Sequence, residues 1–281
     1  ETLPSPEAPS FLALHKKTGK PLWHSALPGK NVLHGSWSNP AYGVAAGRPQ
    51  VIFPGGDAWL YAFEPRTGEL LWKFDLNPPG TKWEPGGRGT KNSVISTPVV
   101  HEDKVYVAVG QDPEHGDGPG RLWAIDATGE GDVTGTGAVW QVGGDEFHRS
   151  LSTVSIADGL LYVADLAGFV YCFDAETGRL HWKYDAYAAI WGSTLVADGK
   201  VYIGDEDGDL AVLAAGRKLK LLHESNLGAA IYTTPAARDG VVYVAARNKL
   251  FALEEGIPAP AAEKPETNEE PGLPPGALPG T

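Results

Sequence analysis

An all-β chain, a β-propeller of four-stranded antiparallel blades, is the fold this sequence predicts, and three observations carry the prediction. One phrase recurs: Ala13-Leu14-His15-Lys16-Lys17-Thr18-Gly19-Lys20-Pro21-Leu22-Trp23, Ala62-Phe63-Glu64-Pro65-Arg66-Thr67-Gly68-Glu69-Leu70-Leu71-Trp72 and Cys172-Phe173-Asp174-Ala175-Glu176-Thr177-Gly178-Arg179-Leu180-His181-Trp182. Each reads as a short apolar strand, a polar residue, a Thr-Gly turn and a second strand that closes on Trp, which is a hairpin with fixed punctuation. A second unit recurs ahead of apolar runs, in Ser96-Thr97-Pro98, Ser152-Thr153-Val154, Gly192-Ser193-Thr194 and Thr233-Thr234-Pro235. The two units alternate at about 40 residues in the tightest copies, the period of a four-stranded blade.

In chain order, residues 1–10 are Pro-rich without strand periodicity and read as a lead-in loop. The first Thr-Gly hairpin follows, with no strands before it to build the inner half of its blade. Ser38-Asn39-Pro40 opens the next blade, with a longer turn before Val51-Ile52-Phe53. In the later blades the runs are Val105-Tyr106-Val107, Leu161-Tyr162-Val163, Val201-Tyr202-Ile203 and Val242-Tyr243-Val244. The turns Asp158-Gly159, Asp198-Gly199 and Asp239-Gly240 are strong hairpin signals.

Two degenerate copies of the Trp hairpin fill the gaps. Ala124-Ile125-Asp126 leads through a Gly/Thr-rich insertion to Thr136-Gly137-Ala138-Val139-Trp140, and Val212-Leu213-Ala214 leads to Leu222 in the place of Trp. Ala252-Leu253-Glu254 opens a sixth copy. The count is two strands, four full blades and three strands, five to six blades' worth of repeats over residues 11–255. Residues 256–281, rich in Pro, Ala and Glu, read as a flexible tail.

The pattern Ala-x-Asp-x-x-Thr-Gly-x-x-x-Trp resembles the tryptophan-docking motif of the pyrroloquinoline-quinone-type β-propellers, and the related non-enzymatic propellers of outer-membrane barrel assembly. The resemblance implies that Trp23, Trp72, Trp140 and Trp182 stack on Thr-Gly peptides of neighbouring blades, with Gly19, Gly68, Gly137 and Gly178 as the platforms. Glycine permits the close approach, and the flat indole buries much area at low entropy cost. His15, Ala214 and Leu222 depart from the pattern, so docking at the first and fifth copies is expected to be weaker. The family ring usually has eight blades. The resemblance therefore implies missing N-terminal blades or a complementing chain, with a smaller closed ring as the alternative, and an extracytoplasmic location, periplasmic or secreted.

Composition narrows the function. The 281 residues carry a formal net charge of −12, which argues against nucleic acid as a partner, since phosphate binding needs clustered Lys and Arg. No apolar run of about 18 residues exists to form a transmembrane helix. The chain begins at Glu1 and has no Met, so it reads as a processed or excised segment. Cys172, alone in the sequence, sits within a strand as a small hydrophobe; there is no Cys-x-x-Cys-His and no zinc pattern.

Aligning the inner strands places Trp37, Trp191 and Tyr232 at one rim of the channel, with His34, Asn92 and His148 three residues further out, and Arg88, Lys91 and Arg149 close in sequence. Aromatic rings among cationic and imidazole groups suit an anionic or aromatic ligand; the other reading is that they pack the channel mouth. Asp112, Glu114, His115 and Asp117, in a long insertion, form a candidate metal loop, with an ordered surface loop as the alternative. Asp205-Glu206-Asp207-Gly208-Asp209 reads as a solvated turn.

No nucleophile with a matched base is visible: Gly-x-Ser-x-Gly, His-Glu-x-x-His and the phosphate-binding Gly-Lys-Ser/Thr are all absent. The resemblance implies, for an active dehydrogenase, a quinone between a Trp and a vicinal Cys-Cys disulfide above a calcium ion. One cysteine cannot supply that pair. The expectation is a non-catalytic extracytoplasmic binding or assembly scaffold for a protein or redox partner, with no cofactor. The alternatives are a pyrroloquinoline-quinone- and calcium-dependent dehydrogenase, and a propeller that stacks glycans or small ligands on Trp37, Trp191 and Tyr232.

Overall fold

The computed structural model describes residues 5–32, 35, 37–82, 89–114 and 119–256, and among them there is no α-helix. The strands form six sheets in chain order. β1 (Phe11–Leu14) and β2 (Pro21–Ser25) make the first. β3 (Ala41–Ala45), β4 (Arg48–Pro54), β5 (Trp59–Phe63) and β6 (Leu70–Asp75) make the second. The third has β7 (Val99–His101), β8 (Lys104–Val109), β9 (Arg121–Asp126) and, after the short β10 (Gly131–Asp132), β11 (Ala138–Gly143). The fourth has β12 (Ser155–Ala157), β13 (Leu160–Ala164), β14 (Phe169–Asp174) and β15 (Leu180–Asp185). The fifth has β16 (Leu195–Ala197), β17 (Lys200–Gly204), β18 (Asp209–Ala214) and β19 (Leu221–Asn226), and the sixth β20 (Ala236–Arg238), β21 (Val241–Ala245) and β22 (Leu250–Glu254). This is the propeller architecture, with two strands, four full blades and three strands in that order.

Tight turns set the register. Asp158-Gly159, Asp198-Gly199 and Asp239-Gly240 all have positive φ at both residues, the geometry whose twist matches a hairpin. The longer turn expected before Val51 is instead another two-residue turn. Ala46 and Gly47 adopt the same left-handed pair, with Ala45 opposite Arg48, and the extra residues lengthen β3 and β4. The alanine hides it, because φ near 45° is uncommon outside Gly, Asn and Asp.

The core lies between blades. Because side chains alternate along a strand, Val105, Val107 and Val109 of β8 pack with Ile52, Leu60 and Trp72 of the second sheet. Tyr106 and Ala108 of the same strand face Leu161, Val163 and Phe173 of the fourth. Leu160, Tyr162 and Cys172 in turn face Val201, Ile203 and Leu213 of the fifth. A blade flanked on both sides thus needs an unbroken apolar run, and Val105 to Val109 is buried throughout.

A ladder of hydroxyls joins the inner edges. Thr97 N–H donates to Thr153 Oγ1 (2.9 Å), Thr153 N–H to Ser193 Oγ (2.8 Å) and Ser193 N–H to Thr234 Oγ1 (3.0 Å), each bond crossing to the next blade. Asn39 Nδ2 reaches Thr97 Oγ1 at 3.4 Å. The repeated Ser/Thr unit of the sequence is this ladder.

Candidate functional site

In an up-and-down meander the second turn of each blade and the link to the next blade lie at one end, and the Thr-Gly turns at the other. The Thr-Gly end carries the indoles. Trp23 Nε1 donates to Pro65 O (2.9 Å), Trp140 Nε1 to Ala175 O (2.9 Å) and Trp182 Nε1 to Gly216 O (2.7 Å), each in the following blade. A Cβ on Gly68 would stand 2.6 Å from the Trp23 ring, and one on Gly178 2.7 Å from Trp140. A β-bulge follows Ala13, Ala62 and Cys172, the residues paired with Trp23, Trp72 and Trp182, and turns the hairpin toward its neighbour.

Trp72 differs. Its Nε1 donates to Gln50 Oε1 (2.7 Å), and Gln50 Nε2 passes the bond to Ala127 O (2.7 Å). Gly137, expected under an indole, packs on Val133 instead, because the Gly/Thr-rich insertion forms β10, which pairs in parallel with β6 and covers Trp72. Gly19 has nothing within 4 Å of its Cβ position. The fifth copy is also corrected: His223, not Leu222, lies opposite Val212 as Trp182 lies opposite Cys172, because that turn is one residue longer. Cys172 is buried, and burial pushes its thiol up to about 12.

The opposite end holds the predicted ligand residues, in separate places. Trp191 and Tyr232 form an edge-on pair, ring centroids 6.1 Å apart, and Trp191 Nε1 donates to Glu206 Oε2 (3.0 Å). Trp37, half-exposed, precedes β3, three sheets earlier in the chain. Asn92 is buried inside its loop, where its backbone N–H donates to Asn77 Oδ1 (3.0 Å); it is not a rim residue. The His148-Arg149 backbone lies against Gly110 and Gly120, where any Cβ would collide with it. Lys91 lines a cavity with Asp57 and Trp59. His34, Arg88, His115 and Asp117 lie outside the described residues. Asp112 is buried, and its Oδ1 accepts from Glu114 N–H (2.8 Å); among the described residues no three His, Cys, Asp or Glu side chains gather as a metal set.

A carboxylate recurs at this end. Asp165 is fully buried, its Oδ1 accepting from Phe169 N–H (3.0 Å) and its Oδ2 from Tyr171 O–H (2.6 Å), with His148 Nδ1 at 3.0 Å. In the second blade the residue matching Asp165 is Gly55, and Asp57, two residues on, fills the vacated space. Its Oδ1 would touch a Cβ on Gly55, and it accepts from Trp59 N–H (3.2 Å) and Tyr61 O–H (2.7 Å). Asp205 Oδ1 accepts from Asp209 N–H (2.9 Å) in the fifth. Burial raises the Asp57 and Asp205 carboxyls above their ordinary value, and burial, then the adjacent carboxylate, raises the Tyr61 and Tyr171 phenols. Above both Tyr pairs sits a lysine: Lys73 Nζ is 4.6 Å from the Trp59 centroid and Lys183 Nζ 3.4 Å from that of Phe169. The signal for these clusters was in the sequence, as Trp59-Leu60-Tyr61 with Trp72-Lys73 and Phe169-Val170-Tyr171 with Trp182-Lys183.

The family described as outer membrane protein assembly factor BamB matches residues 8–132 and 131–256. Among relatives, quinohemoprotein alcohol dehydrogenase ADH-IIG of Pseudomonas putida is 30% identical over 135 residues, covering 44% of this chain and 16% of that protein. Polyvinylalcohol dehydrogenase of Sphingopyxis sp. (strain 113P3) is 28% identical over 260 residues, 70% of this chain and 38% of that one. Tetrathionate hydrolase of Acidithiobacillus ferrooxidans is 22% identical over 268 residues, 88% and 47%. The crystal structure of BamB from Moraxella catarrhalis superposes with a TM-score of 0.60 at 18% identity, over 84% of this chain and 63% of that one, a likeness of fold. The chain spans less than half the length of these three enzyme relatives.

Proposed function

This chain belongs to the family of the outer membrane protein assembly factor BamB, among the pyrroloquinoline-quinone-like β-propellers, and from that premise we propose that it is a non-catalytic extracytoplasmic platform that holds a protein partner. The supporting observation is the Trp191–Tyr232 pair. Two large aromatics stand partly exposed and edge-on, Trp191 bonded to Glu206, on a scaffold whose blades are bonded edge to edge. Rigid aromatic anchors of this kind carry a large share of the energy in protein interfaces, at low ordering cost. Among the described residues no helix is long and apolar enough to cross a membrane.

The relatives named as dehydrogenases favour a second reading, quinone-dependent oxidation. The residues present do not fit the quinone as the resemblance places it. The lone Cys172 is buried in β14, its Sγ 3.7 Å from Gly216 O, so no vicinal disulfide can form.

Two experiments separate the readings. Incubation with pyrroloquinoline quinone and calcium is expected to give neither bound-cofactor absorbance nor dye reduction; robust activity overturns the proposal. A photo-crosslinking residue at position 191 or 232 is expected to trap one discrete protein in the native host, while the same group at position 218, on the Thr-Gly end, traps none. Equal labelling from both ends would remove the case for this surface.

A further inference from the structure

Between the first and second blades lies a half-open cavity of about 590 Å³, the size of a small-molecule site. Asp57 and Tyr61 line it with Trp59, Leu27 and Pro28, and three lysines, Lys30, Lys73 and Lys91, converge on it from three different segments of chain. Such a concentration of cations runs against a chain of formal net charge −12.

One of the three is held in an ion pair by the fold. Lys73 Nζ lies 3.3 Å from Asp132 Oδ2 and over the Trp59 ring. Among the described residues neither Lys30 nor Lys91 has a hydrogen bond or ion pair. Asp57, whose Oδ1 accepts from Trp59 N–H and whose Oδ2 accepts from Tyr61 O–H, feels the Lys91 charge, while burial raises its carboxyl toward the neutral form. Three ammonium groups against Asp132 and the one buried Asp57 carboxyl leave this concave surface net cationic, and the low-dielectric walls focus the potential.

We propose that this cavity binds a small organic dianion, a dicarboxylate with a short apolar body, its two charges met by Lys30 and Lys91 and its body by Leu27, Pro28 and the free edge of Trp59. A single carboxylate engages only one of the two lysines, and an inorganic anion leaves the apolar wall wet. The inference is independent of the protein-platform reading, since the site lies in a different blade from Trp191 and Tyr232.

The test is calorimetric titration of the full chain at low ionic strength with phthalate and succinate as probes, beside inorganic phosphate and neutral phthalamide. One-to-one saturable binding of both dicarboxylates is expected, at least about tenfold tighter than either control. The Lys30→Ala/Lys91→Ala double variant should weaken it by about tenfold, while Lys17→Ala/Lys218→Ala, at the opposite end, leaves it unchanged. No saturable binding below about 10 mM, or equal affinity in the Lys30/Lys91 variant, overturns the proposal. Phosphate binding as tightly as the dicarboxylates would overturn the organic assignment.

Discussion

Gly68 and Gly19 occupy the same point of the repeat, with φ of 73° and 69°, and differ in what stands over them. Gly68 lies under the Trp23 indole and Gly19 under nothing. Gly19→Ala should cost only the left-handed strain, about 1 kcal/mol. Gly68→Ala adds a displaced indole and should cost about 2–3 kcal/mol, read as a shift in urea midpoint. Gln50 is a second single-residue test. It is buried and holds both the Trp72 N–H and Ala127 O, so Gln50→Leu strands two polar groups and should cost about 2–4 kcal/mol. Asp57 gives a pH signature. Burial raises its carboxyl, so the folded chain takes up that proton more readily than the unfolded one. Its contribution to stability is therefore full below the ordinary carboxylate range and is lost as pH rises through the folded value. Asp57→Asn removes that term, and its stability relative to the parent should climb between about pH 4 and pH 7 in urea unfolding at fixed ionic strength. A flat difference would mean that the Tyr61 and Trp59 hydrogen bonds offset the burial.

At the scale of the element, what a strand shows in sequence depends on how many blades cover it. β8 is buried along Val105 to Val109, whereas β21, with one flanking blade, buries only Val244, and β22 has Leu250 70% exposed. Amide exchange should follow: β8, β9, β13 and β14 should exchange at least about tenfold more slowly than β20 to β22 in native-state mass spectrometry, and uniform protection would contradict the burial pattern. The apolar runs, the Asp-Gly turns and the Trp hairpins were legible because each is a local pattern with a local cause. β10 was not, since two residues of a Gly/Thr-rich loop become a strand only where the β6 edge is present to pair with them. His223 was missed because one added turn residue moves the register without changing composition. Lys91 was found from its loop. Its partners Asp57, Trp59 and Lys30 were not, because the cavity exists only once segments from different blades meet, and Asp57 reaches the carboxylate position from two residues beyond the matching Gly55.

For the whole molecule the decisive question is what makes separate sheets behave as one body. Stacked repeats contact only their neighbours, so cooperativity depends on each interface. The apolar clusters supply most of the energy, but they are non-directional; the hydroxyl ladder fixes how each inner edge sits on the next. Thr153 is its midpoint, accepting from Thr97 N–H and donating its own N–H to Ser193. Thr153→Val keeps the shape and the donated bond and removes only the acceptor, leaving the Thr97 N–H without its partner. The expected loss is about 1–2 kcal/mol, accompanied by a smaller denaturant slope, because the third and fourth blades would begin to open separately. Thr177→Val is the matched control: its hydroxyl bonds Asp174 within a single hairpin, so it should lower the midpoint and leave the slope alone. If both variants move the midpoint alone, the ladder is ornament to the apolar interfaces, and the unity of the fold rests on the indoles and the packed strands instead.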